Sequence, residues 1–135
     1  MIIGIGTDIL NLNRLEKIID KYDQKFINRI YGENEVQISK NKLETSIYYF
    51  GKRFSAKEAT WKALAPNRGE GLLFKEIEIL NDINGKPYLL FSGNTKKFIE
   101  IKENNLKSKL KFDISLSDDT PFVIAFVVIS LAPYV

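Results

Sequence analysis

Asp8 lies in the segment Gly4-Ile5-Gly6-Thr7-Asp8-Ile9, and fifty residues further on Glu58 and Lys62 lie within Arg53-Phe54-Ser55-Ala56-Lys57-Glu58-Ala59-Thr60-Trp61-Lys62-Ala63. Glu58 and Lys62 are four residues apart, so on a helix they share a face. Two carboxylates that can converge on a hard cation, with ammonium and guanidinium groups beside them, describe a site for Mg²⁺ and a phosphorylated substrate. Arg53, Lys57 and Lys86 are further candidates for phosphate contacts, because their heads match phosphate oxyanions. Each residue also has a plainer use. Asp8 would serve as a turn or capping aspartate, Glu58 and Lys62 as an ordinary surface pair, and the other cations as solvated charges.

The chain contains no cysteine and no histidine. A disulfide framework, thiol nucleophiles, imidazole bases and the usual Zn²⁺ ligand sets are therefore excluded. Acid–base chemistry near neutral pH must come from carboxylates, lysine, tyrosine or metal-bound water. The net charge of +3 suits an acidic partner or a phosphorylated ligand. Without Arg-rich runs or an RNA-binding motif, nucleic acid is not the expected partner. The start lacks a basic leader, and the apolar run from Phe122 to Leu131 is half of what a membrane-spanning helix needs. A cytoplasmic protein of one domain is expected from 135 residues.

The elements that must position these residues follow from apolar spacing. Ile2 to Ile5 reads as a buried strand, with Gly6 turning the backbone so that Asp8 lies just past its end. Asn13 is expected to cap a helix carrying Leu15, Ile18, Ile19 and Tyr22. A short helical pattern follows at Phe26, Ile27 and Ile30. A longer helix is expected from about Leu43 to Leu64, weakened at Gly51, with Ala56, Ala59 and Ala63 as a close-packing face. The cluster from Pro66 to Gly71 is a loop. Leu73 to Leu80 reads as a strand, Asn84-Gly85 as a hairpin turn into Tyr88 to Phe91, and Thr95 to Leu106 as a helix. Phe112, Ile114 and Leu116 alternate in a further strand, Asp118 to Pro121 form a turn, and Phe122 to Leu131 returns as a long central strand. The fold class is α+β, with helices packed on an antiparallel sheet.

The ordered set of Gly4 to Ile9, Arg53 to Ala63, Glu76-Ile77-Glu78-Ile79 and Gly85-Lys86-Pro87 resembles the holo-[acyl-carrier-protein] synthases, small phosphopantetheinyl transferases. The resemblance spans nearly the whole chain and implies the 4′-phosphopantetheinyl transferase fold. It implies transfer of the phosphopantetheine arm from coenzyme A to a serine of apo acyl carrier protein. Asp8 and Glu58 would be Mg²⁺ ligands, with the serine proton passing to Glu58 directly or through a metal-bound water, and Lys62 stabilising or protonating the leaving bisphosphate. Arg53, Lys57, Lys86 and Ser117 would hold coenzyme A. The first helix, through Arg14, Lys17 and Lys21, would grip the acidic carrier protein. A homotrimer with sites at subunit interfaces is also implied. One departure stands out: Ser115-Leu116-Ser117-Asp118 puts an aspartate where the family commonly has a histidine near the nucleotide. Two other classes compete with this reading. One is a Mg²⁺-dependent nucleotide phosphohydrolase, which would release phosphopantetheine to water; the other is a non-enzymatic basic binding module, which would show no Mg²⁺-dependent coenzyme A binding.

Overall fold

A computed structural model describes residues 1–41, 46–66 and 71–132, and the apolar C-terminal run organises it. Strand β5 (Phe122–Ala132) buries Val123, Ala125, Val127 and Ile129 on one face and exposes Phe122, Ile124 and Phe126 on the other. That is the two-residue period of a strand covered on one side only. It is the central strand of an antiparallel sheet of order β1-β5-β4, between β1 (Ile2–Asn11) and β4 (Lys109–Asp119). The expectation of a central final strand is met.

Helix α4 (Ser46–Leu64) lies on the buried face, with Ala56, Ala59 and Ala63 against the sheet. Small side chains let the helix approach the backbone of β1 closely. A Cβ on Gly6 would lie 1.8 Å from the Ala59 carbonyl oxygen, so only glycine fits there. Gly6 is therefore a contact point rather than a turn, and this corrects the expected strand end. β1 continues to Asn11, and Asp8 lies inside it, opposite Ala125. Gly51 does not break α4; its missing side chain leaves room for Leu12, whose Cδ2 would be 2.3 Å from an added Cβ.

Helix α1 (Leu12–Tyr22) follows β1 directly, capped by Asn11 rather than Asn13: the Asn11 side chain accepts from the Asn13 backbone N–H at 2.9 Å. Helix α2 (Gln24–Ile30) matches the expected short pattern, and α3 (Glu33–Ser39) is an addition to it. The segment expected as a strand from Leu73 opens as a 3₁₀ turn (Phe74–Glu76), and β2 (Ile77–Asn81) begins afterwards. The reason is Glu76, whose carboxylate turns toward the start of α5 (Gly93–Leu106) and accepts from the Asn94 and Thr95 backbone N–H groups at 3.0 and 3.2 Å. β2 pairs with β3 (Pro87–Phe91) in the hairpin expected at Asn84-Gly85. The expected loop at 67–70 and the start of the long helix at 43–45 lie outside the described residues. No helix among the described residues is long and apolar enough to cross a membrane.

Candidate active site

Strand β1 and helix α4 bring Asp8, Ser55 and Lys62 together, with Glu58 beside them. Ser55, Glu58 and Lys62 follow i, i+3, i+7 spacing, so they line one stripe of α4. The Ser55 hydroxyl donates between Asp8 Oδ2 (3.0 Å) and the Asp8 carbonyl oxygen (3.1 Å). The Lys62 ammonium donates to the Thr7 carbonyl oxygen at 3.0 Å and sits 3.5 Å from Asp8 Oδ1. Asp8 is mostly covered, its side chain 16% exposed, so hydrogen bonds from two sides fix its position. Sequence reasoning missed Ser55; the i, i+3, i+7 spacing was the available signal.

Glu58 is half-buried. Burial pushes its carboxyl above the ordinary range, the Asp8 charge pushes it further, and Lys62 partly opposes both. Two carboxylates that disfavour each other's charge form the kind of pair a divalent cation relieves. Among the described residues no three acidic side chains converge on one point. A cation here would rest on Asp8 and Glu58, with water and ligand oxygens completing its shell, an arrangement that suits Mg²⁺.

Arg53 lies about 140° around α4 from Glu58, five residues at about 100° each. It faces a separate cavity of about 710 Å³, lined by Lys52, Arg53, Asn81, Gly85 and Pro87 together with Ser115 and its neighbours on β4. Arg53 is 7% exposed, and its guanidinium stacks 4.1 Å from the Tyr49 ring centroid and donates to Asn81 Oδ1. Arg53 has no carboxylate within ion-pair distance among the described residues. A buried cation with no carboxylate partner among the described residues favours an anion in the adjoining cavity. Lys86 stands exposed on the hairpin between Gly85 and Pro87, beside the same cavity. Ser117 is exposed on β4, one residue beyond the lining residue Leu116.

The expectation for Lys57 is corrected. Its ammonium is fully buried, pairs with Glu35 at 2.5 Å and donates to the Phe74 and Ile77 carbonyls. The Glu35 carboxylate also accepts from the Gly32 and Ile79 backbone N–H groups, each at 3.0 Å. Burial pushes Glu35 up and Lys57 down, and their mutual attraction opposes both shifts. All three ammonium protons have acceptors inside the protein, so none is left for a phosphate. Lys57 ties α4 to α3 and β2, and so secures the helix from which Glu58 projects.

Arg14, Lys17 and Lys21 are all exposed on α1, within one stripe. The acidic Glu16 and Asp20 flank that stripe on one side, Asp20 three residues and about 60° from Lys17, so they offset its positive charge there and leave the other side basic.

A sheet edge presenting a braced carboxylate to a helical glutamate and lysine, with a cation-floored cavity nearby, suits chemistry on phosphate esters. The description of the 4′-phosphopantetheinyl transferase superfamily matches residues 4–127, and the chain belongs to that family. Within it, the holo-[acyl-carrier-protein] synthase of Wolbachia sp. subsp. Drosophila simulans (strain wRi) is 47% identical over 131 residues, covering 96% of this chain and 98% of that protein. The crystal structure of holo-[acyl-carrier-protein] synthase from Neisseria meningitidis superposes with a TM-score of 0.83 at 34% identity, covering 96% of this chain and 99% of that one. The Bacillus anthracis str. Ames synthase, solved in complex with CoA (3',5'-ADP), superposes with a TM-score of 0.77 at 35% identity, covering 98% and 99%.

Proposed function

We propose that this chain transfers 4′-phosphopantetheine from coenzyme A to a serine of apo acyl carrier protein, releasing adenosine 3′,5′-bisphosphate. The observation that carries the reading is the grouping of Asp8, Glu58 and Lys62 across β1 and α4, in a chain whose relatives are holo-[acyl-carrier-protein] synthases. Glu58 takes the proton from the attacking serine hydroxyl; the chain has no histidine to do so. Lys62, half exposed, turns its ammonium to the bisphosphate oxygen as negative charge builds on it. Asp8, braced by Ser55, holds the Lys62 ammonium in place beside Glu58. Mg²⁺, held by Asp8 and Glu58, would neutralise the pyrophosphate and orient it for in-line attack.

Asp8 stands on one edge strand of the sheet and the Arg53 cavity reaches the other edge strand, β4. One coenzyme molecule spanning both is more readily accommodated between two copies, the β1 edge of one beside the β4 edge of the next. Such a head-to-tail contact closes into a ring of three when successive copies turn by about 120°, which is the homotrimer implied by the sequence resemblance. The exposed face carrying Ile5, Ile9, Ile124 and Phe126 offers apolar area for that contact. The basic stripe of α1 steers the acidic carrier protein to the Asp8 edge. A cytoplasmic workplace belongs to the same reading. The test is a pair of variants, Asp8→Asn and Glu58→Gln. Each is expected to lose transfer in the presence of Mg²⁺ while keeping the wild-type circular dichroism. Near-normal turnover in both would remove the carboxylate pair from the chemistry.

A further inference from the structure

The cavity beside Arg53 carries a second cation that is already engaged. Lys52 lines the cavity, and its ammonium sits 3.0 Å from Asp118 Oδ2. Asp118 reaches it because even-numbered residues of β4 face α4: Leu110, Phe112, Ile114 and Leu116 pack inward, and Asp118 continues their row, opposite Val123. The two side chains are 32% and 42% exposed, so water screens their attraction and the pair opens at little cost. Arg53, by contrast, is locked by Tyr49 and Asn81. The cavity thus has one fixed and one exchangeable cation, with a carboxylate tethering the second.

We propose that Lys52 and Asp118 form a charge latch that sets the cavity's preference for a phosphomonoester: Lys52 swings from Asp118 to the phosphate when nucleotide enters, and Asp118 competes for Lys52 and repels the bound phosphate. Lys52 is a specificity-determining residue, and Asp118 acts through it as a positioning residue. An aspartate at this point is compatible with an anion site because Lys52 neutralises it in the empty protein. It also keeps nucleotide binding from becoming too tight, which favours release of the bisphosphate product. The inference rests on the coenzyme A reading. Coenzyme A bears a 3′-phosphomonoester in addition to its pyrophosphate, and 3′-dephospho-coenzyme A lacks only that group.

Calorimetric titration of both compounds in Mg²⁺ into the wild-type protein, Lys52→Met and Asp118→Asn tests the latch. Wild type is expected to prefer coenzyme A. Lys52→Met should weaken coenzyme A binding by roughly 10-fold, the cost of one charge-assisted contact, and leave the dephospho compound nearly unchanged. Asp118→Asn should tighten coenzyme A by roughly 3-fold or more, again without moving the dephospho compound. Weaker coenzyme A binding in Asp118→Asn, or equal effects of Lys52→Met on both ligands, would overturn the latch. So would no change in either variant, with the coenzyme A reading left standing. A wild-type protein that binds neither compound would overturn that reading and the latch with it.

Discussion

Replacing Lys57 by methionine removes a charge from the best-protected position in the molecule while nearly preserving side-chain length. Lys57 and Glu35 have no exposed side-chain surface, so Glu35 would be left as a carboxylate held only by the Gly32 and Ile79 N–H groups. The Phe74 and Ile77 carbonyls would lose their donor as well. Removing one partner of a buried pair costs about 3–5 kcal/mol, a large share of the ~5–15 kcal/mol that stabilises a domain. With a urea slope of about 2 kcal/mol per molar, the unfolding midpoint should fall by roughly 1.5–2.5 M. The single tryptophan, Trp61 on α4, reports the transition by fluorescence. Adding Glu35→Gln should recover at least ~1 kcal/mol of the loss, since the stranded charge is then gone. The penalty should also depend on pH. Burial already raises the Glu35 carboxyl, and losing Lys57 raises it further. A raised folded-state value means the part of the penalty due to the stranded charge is absent below the unfolded value of about 4.3 and grows as pH rises through the folded one. A loss below ~1 kcal/mol at neutral pH, or one indifferent to pH, would refute the buried-pair account. Below the transition, Lys57→Met should still bind coenzyme A.

Gly6→Ala should destabilise by about 1–3 kcal/mol and lower turnover, because its Cβ collides with the Ala59 carbonyl and displaces the strand bearing Asp8; wild-type thermal stability would refute that contact. Lys62→Ala should lower kcat by roughly 10²–10³ with little change in coenzyme A affinity, and Arg53→Ala should do the reverse. Steady-state kinetics with calorimetry separate the two, and a Lys62→Ala defect confined to affinity would make it a binding residue. Reversing charge at Arg14 and Lys21 should raise KM for carrier protein far more than for coenzyme A and flatten its salt dependence; equal effects would mark the stripe as an ordinary solvated face. Phe126→Asp on the exposed sheet face should shift a sedimenting oligomer to monomer, and an unchanged sedimentation coefficient would exclude that face from the interface.

Much of the fold was legible because its signals are local. The alternation of Val123 to Ile129, the Asn84-Gly85 turn and the Ala56, Ala59, Ala63 face each lie within one element. Gly6 was misread because a glycine after an apolar run looks like a turn until the Ala59 carbonyl is placed against it. Helix α3 escaped notice because its one fully buried side chain is Glu35, which apolar spacing cannot flag. Lys57 shows the same limit at the site. Its neighbour Glu58 faces β1, and only the tertiary meeting of α3, α4 and β2 distinguishes a phosphate-binding lysine from a buried one. The tie between Lys52 and Asp118, 66 residues apart, was likewise beyond local spacing, although Asp118 itself was conspicuous in the sequence.

The central claim is group transfer to a carrier protein, and intact-mass spectrometry tests it directly. Apo acyl carrier protein is incubated with this protein, coenzyme A and Mg²⁺, with parallel samples lacking the enzyme, lacking coenzyme A or containing chelator. The account predicts that carrier protein gains the mass of one phosphopantetheine on its serine only in the complete sample, with adenosine 3′,5′-bisphosphate released in equal amount. Unmodified carrier protein alongside free phosphopantetheine would contradict it and identify a hydrolase; unmodified carrier protein with intact coenzyme A would contradict it and leave a binding module.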